Sequence, residues 1–132
     1  MARTTLSYTI LNPNGLRALP SATNADASNG MNIPVPKVSS PGAADSINLL
    51  FLYVANSDGS DHTCTVKGAS GSPTGARGGS GDLVSTISHT AGGGLIGPLD
   101  ATRFTQVDGS VNVDFSSATG MTIIAYMLPH RR

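Results

Sequence analysis

The sequence predicts an all-β fold: an antiparallel β-sandwich, jelly-roll-like, with an extended N-terminal arm. Sixteen glycines and eight prolines are scattered through 132 residues without a collagen-like period, which leaves few stretches where a helix can run. The longest stretch free of both, residues 43–58, is rich in residues that suit a strand. Short apolar–polar alternations recur every ~8–12 residues between glycine-rich turns, the spacing of a sandwich or barrel. A chain of this length hides about two-thirds of its unfolded surface, enough for one core and not for two.

Residues 1–45 form the arm. Within it residues 4–11 are strand-like, Asn12-Pro13-Asn14-Gly15 and Asn29-Gly30 are turn signals, and Pro34, Pro36 and Pro41 hold the backbone extended. Residues 46–129 carry the sandwich. Its first strand is residues 47–55 and its second residues 62–67, with His62, Cys64 and Val66 on one face and Thr63, Thr65 and Lys67 on the other. The turn Asn56-Ser57-Asp58-Gly59 between them predicts a hairpin. Residues 68–81 read as a long surface loop, and residues 82–88 are again strand-like. Ala91-Gly92-Gly93-Gly94 interrupts, Leu95-Ile96-Gly97-Pro98-Leu99 makes a short strand or corner, and Asp100 can cap one helical turn ending at Phe104. Val111, Val113 and Phe115 alternate with Ser110, Asn112 and Asp114; residues 116–120 turn, and residues 121–128 are apolar almost throughout. Residues 130–132 are a tail.

Two features exceed what a simple sandwich needs. The apolar residues of the arm, Leu6, Tyr8, Ile10, Leu16, Leu19, Met31, Ile33 and Val35, are too widely spaced to bury one another, so they are expected to lie against a partner. Two strands are apolar on both sides: Leu49, Phe51 and Tyr53 oppose Leu50, Leu52 and Val54, and Met121, Ile123 and Met127 oppose Ile124, Tyr126 and Leu128. A sandwich strand has one inward face, so the second must meet the arm, a sister subunit or another protein. The subunit contact is assigned to Leu50, Leu52, Val54, Ile124, Tyr126 and Leu128.

Chemistry-bearing residues are sparse and form no constellation. His62, His89 and His130 lack metal-ligand spacing and have no Cys pair or Glu to complete a site. Cys64, mid-strand beside Val66, reads as a small buried hydrophobe rather than a nucleophile. The glycine-rich loop lacks the Lys-Ser/Thr and following helix of a phosphate cradle, and no Gly-x-Ser-x-Gly elbow occurs. Asp58, Asp61, Asp108 and Asp114 could hold Ca²⁺ only if the fold gathered them; solvated turn residues are the simpler reading. Six aromatics and no Trp leave little for a sugar-binding platform once a core is filled. No cofactor, metal or enzymatic activity is expected.

Eight Lys plus Arg balance eight Asp, with no Glu, so clustered cations for nucleic acid are missing and the charge does little to keep copies apart. The single cysteine excludes an intrachain disulfide. The N-terminal residues lack an apolar signal region and no segment approaches a membrane span, which together predict synthesis in a cytoplasm without a membrane partner.

The segments Asp26-Ala27-Ser28-Asn29-Gly30-Met31-Asn32-Ile33-Pro34, Leu50-Phe51-Leu52-Tyr53-Val54-Ala55-Asn56 and His62-Thr63-Cys64-Thr65-Val66 resemble motifs of the capsid decoration, or cement, proteins of tailed bacteriophages. The strongest come late: Gly93-Gly94-Leu95-Ile96-Gly97-Pro98-Leu99 is similar to that family's Gly-Pro corner, and Val111-Asn112-Val113-Asp114-Phe115 with Thr119-Gly120-Met121 to its closing hairpin. The glycine-rich loop is longer than the family pattern. The resemblance implies a β-sandwich on the virion exterior, assembled as a homotrimer and bridging major capsid subunits. On that reading Leu6, Tyr8, Ile10, Leu16, Leu19, Met31 and Ile33 of the arm touch the capsid. A glycan- or receptor-binding module on a virion or tail is the alternative.

Overall fold

In the computed structural model, residues 2–11, 15–16, 18, 20–35, 49–68, 81–99, 101–106 and 109–128 are described. They contain strands β1 (Thr4–Thr5), β2 (Tyr8–Ile10), β3 (Thr23–Asn24), β4 (Met31–Ile33), β5 (Leu50–Asn56), β6 (His62–Val66), β7 (Leu83–Ile87) and β8 (Gly93–Ile96). One helical turn, α1 (Ala101–Phe104), precedes β9 (Val111–Phe115) and β10 (Met121–Met127). The first sheet runs β1-β4-β9-β6-β7; the second runs β2-β10-β5-β8, with β3 pairing β10 beside β2. The fold is therefore the expected all-β sandwich.

Alternation decides what faces inward. In β5, Leu50, Leu52 and Val54 are buried while Phe51 and Tyr53 face out. In β9, Val111, Val113 and Phe115 are buried, and in β6 Cys64 and Val66. These meet Met121, Ile123, Ala125 and Met127 of β10 in one core between the sheets.

The two expected hairpins are instead arches between sheets. β5 lies in the second sheet and β6 in the first; β9 lies in the first and β10 in the second. The reason is occupancy: β5 is paired on both sides by β10 and β8, and β6 by β9 and β7. Side by side, their apolar faces would also lie in one plane, whereas an arch turns them toward each other. The arches stack at one end of the sandwich, where Ser57 N–H donates to Gly120 O at 2.9 Å. Gly120 is required there, because its φ is +68° and a Cβ would sit 2.6 Å from Asp58 N.

The arm is also corrected, in that it completes both sheets. β1 pairs parallel with β4, which pairs antiparallel with β9; β2 pairs parallel with β10 and β3 antiparallel with it. Leu6, Met31, Ile33 and Val35 are buried in the core, so none of the four is available to a partner. They are too far apart to bury one another, but Met31 lies opposite Val113 and Ile33 opposite Val111, strands some eighty residues away. The two parallel pairings make the sheets mixed rather than purely antiparallel. Arg3 fastens the start of the chain by an ion pair with Asp114 at 2.5 Å. That contact passes over Gly30, where φ is +74° and any Cβ would collide with the Arg3 guanidinium and the Asp114 carboxylate.

Residues 36–48, 69–80, Asp100, Asp108 and the tail 130–132 lie outside the described residues, as does Leu19.

Candidate interaction surface

The outward side of the second sheet is built from every second residue of β5 and β10. Register places Phe51 opposite Tyr126 and Tyr53 opposite Ile124, and on the next strand Leu95 lies beside Tyr53. The Phe51 and Tyr126 rings stack, with centroids 5.5 Å apart and planes 25° apart. Gly97 flanks Phe51: its φ is +124°, and a Cβ would lie 2.8 Å from Phe51 Cβ and 3.0 Å from Leu50 O. Leu128 continues the face, its N–H donating to Leu49 O at 3.0 Å. Ile124 and Tyr126 are themselves buried, so the apolar surface open to solvent is Leu95, 68% exposed, with Tyr53 and Leu128 at 38%. No strand of this sheet carries Asp, Glu, Lys, Arg or His: the sequences are YTI, TN, LFLYVAN, GGLI and MTIIAYM.

This changes the assigned subunit contact. Leu50, Leu52 and Val54 belong to the core, because the pleat of β5 turns them inward. Ile124 and Tyr126 are on the outward side but covered, and Leu128 is open. Phe51, Tyr53 and Leu95 were passed over: with both sides of β5 apolar, alternation alone cannot say which side faces the core. Of the arm residues assigned to a partner, Tyr8 is half-buried against the core, Ile10 is at the margin of exposure, and Leu16 projects with 91% exposed.

The opposite face of the sandwich is polar apart from Val84, which lies opposite Thr65 and is exposed. Thr63, Thr65 and Thr86 lie in adjacent rows with Asp114, and Asn32 Nδ2 donates to Asn112 Oδ1 and Ser110 Oγ, both at 2.7 Å. At its margin Lys67 pairs with Asp82 at 2.7 Å; each holds the other charged, raising the Lys67 pKa and lowering that of Asp82.

At the arch end, two carboxylates engage two imidazoles. His62 Nε2 lies 2.6 Å from Asp58 Oδ2, and His89 Nδ1 lies 2.7 Å from Asp61 Oδ1. The His62 hydrogen bond pulls the Asp58 pKa below its ordinary value, and the His89 backbone N–H, followed by its ring, does the same for Asp61. Each aspartate is thus committed to a histidine, while Asp114 is held by Arg3, and no group of three metal-ligating side chains forms among the described residues. Asn56 organises this end from within the core. Its Nδ2 donates to Ser60 O at 2.9 Å and Ile87 O at 2.8 Å, and its Oδ1 accepts from Asp58 N–H at 2.9 Å. From sequence Asn56 is the end of a strand and the start of a turn; nothing local shows that its amide reaches Ser60 and Ile87. Cys64 is fully buried, and burial pushes its thiol up to about 12, far from a thiolate at neutral pH.

Comparison of the chain with protein-family models, with curated proteins and with solved structures gives no match.

Proposed function

We propose that this protein is a non-catalytic virion component that binds the outside of an assembled tailed-phage capsid and stabilises it by bridging major capsid subunits. The observation that carries the reading is the uncharged outward side of the second sheet, with Leu95, Tyr53 and Leu128 open to solvent on a chain of zero formal net charge. Such a face favours a protein partner over water or nucleic acid. The motif resemblance supplies the kind of partner. The contact moves from the buried arm residues to this face, with Leu16 as a projecting accessory. A homotrimer, the assembly implied by the resemblance, is the proposed oligomer.

The mechanism is mass action. A protein that binds only the assembled lattice stabilises it against the dissociated subunits by an amount set by ligand concentration over Kd, and many copies acting together multiply a modest affinity.

The test is binding to capsids that lack this protein, measured by co-sedimentation. Saturable binding of the native chain, lost in Leu95→Asp with the fold retained, supports the reading; no binding by the folded native chain overturns it.

One observation favours the alternative of a glycan-binding module: exposed Tyr53, on the same strand as half-buried Phe51 with its stack on covered Tyr126, offers an aromatic edge against which a sugar ring can lie. The neighbours there are Ile124 and Leu95, without the carboxylates or amides that fix sugar hydroxyls, which favours the protein partner.

A further inference from the structure

The four sheet margins differ in how they are closed. β1 and β3 are two residues long and β2 is three. β8 is bounded by Gly92 and Gly93 with positive φ at one end and by Gly97-Pro98 at the other. Short strands, irregular glycine backbone and proline each discourage another strand from adding. Along its five residues β7 has none of these protections; just before it, Arg103 Nη2 donates to Asp82 O at 2.8 Å and closes the edge there. Those five residues, Leu83-Val84-Ser85-Thr86-Ile87, contain no charge, proline or glycine, and among the described residues only β6 pairs with β7.

The direction of its backbone groups follows from register. Lys67 N–H donates to Asn112 O and Ser116 N–H to Thr63 O, so residues 63, 65 and 67 bond toward β9. Residues 62, 64 and 66 therefore bond toward β7, where they oppose Ile87, Ser85 and Leu83. The N–H and C=O of Val84 and Thr86 consequently point away from the sheet.

We propose that β7 is a two-fold contact at which a second copy of this chain adds its own β7 antiparallel, joining two sandwiches edge to edge. The occupant follows from self-complementarity. With the two-fold axis at Ser85, Val84 of each copy lies opposite Thr86 of the other, and both outward-bonding residues of each strand exchange N–H···O=C bonds. The same register sets Asp82 opposite Ser88, so the two Asp82 carboxylates stay apart and no like charges meet. Val84, 61% exposed, gains a cross-strand neighbour in Thr86. This contact uses a margin rather than the outward side of the second sheet, and, being two-fold, it joins copies of different trimers rather than copies within the proposed trimer.

The test is register-specific cross-linking of the full chain in solution. Val84→Cys and Thr86→Cys chains are prepared separately and mixed under mild oxidation; buried Cys64 contributes no background. The mixture is expected to give a covalent species of twice the 13.4 kDa chain mass, well beyond what either chain gives alone. Val84→Lys combined with Thr86→Lys is expected to weaken the edge contact by about tenfold or more, with an unchanged β-sheet circular dichroism spectrum. Equal cross-linking in the mixture and in the single variants, or unchanged self-association of the lysine variant, would overturn the proposal.

Discussion

The two outward sheet faces of this sandwich share one core and end differently at the surface. On the first sheet, Asn32 bonds Asn112 and Ser110, Arg3 neutralises Asp114, and Lys67 neutralises Asp82, while the threonine hydroxyls are of a kind that water can complete. On the second sheet, Phe51, Tyr53, Leu95, Ile124 and Tyr126 stand where those polar residues would be, and no strand brings a charge. Ile124 and Tyr126 are covered within the chain itself, so part of this asymmetry belongs to the fold, and Leu95, Tyr53 and Leu128 are what remains open. That open remainder weakens the solubility of the lone chain, and the proposed capsid partner would cover it.

The largest expected effect separates inward from outward on β5 and its neighbour. Leu52→Ala should cost about 3 kcal/mol, as a buried leucine leaving a cavity, while Leu95→Ala should change stability by less than about 0.5 kcal/mol. Denaturant titration of both checks it; equal costs would mean the faces are assigned the wrong way round. Next in size is the link between the sheets. Asn56→Ala strands the Ser60 and Ile87 carbonyls and the Asp58 N–H, and is expected to cost about 2 kcal/mol in the same assay, with loss of amide-exchange protection at residues 57–61.

The polar face should be far more tolerant. Arg3→Ala removes a partly exposed ion pair and should cost about 0.5 kcal/mol, so a loss several times larger would show that this face is less self-sufficient than described. The smallest effect is with pH. Asp58 and Asp61 have folded pKa values below their ordinary 3.8, so their contribution is complete above that value and is lost as pH falls through the folded values. Melting temperature is expected to drop on acidification below about pH 4, and the drop to flatten in Asp58→Asn combined with Asp61→Asn.

Much of the fold was legible because glycine spacing and alternation are local signals. β6, β7 and β9 fall where alternation puts them, β10 where a continuous apolar run does, and α1 ends at Phe104 as expected. What depends on distant residues was not legible. The arches look like hairpins in sequence because a turn of four or five residues serves either, and only the occupancy of both sides of β5 and β6 decides. The arm looks partnerless because the residues that bury Met31 and Ile33 lie in β9. On β5 the surplus of apolar residues was visible, but the inward side was not: Leu50, Leu52 and Val54 were assigned outward, and Phe51 and Tyr53 occupy that place.

The most direct test of the account compares the two faces on capsids that lack this protein. Leu95→Asp and Tyr53→Asp on the apolar face are set against Thr63→Asp and Thr65→Asp on the polar one, each first confirmed as folded, and occupancy is read by co-sedimentation. The account predicts that the first pair lowers occupancy by at least about tenfold, the effect of roughly 1.4 kcal/mol, while the second pair binds as the native chain does. Equal loss from both faces, or loss only from the polar one, would contradict it.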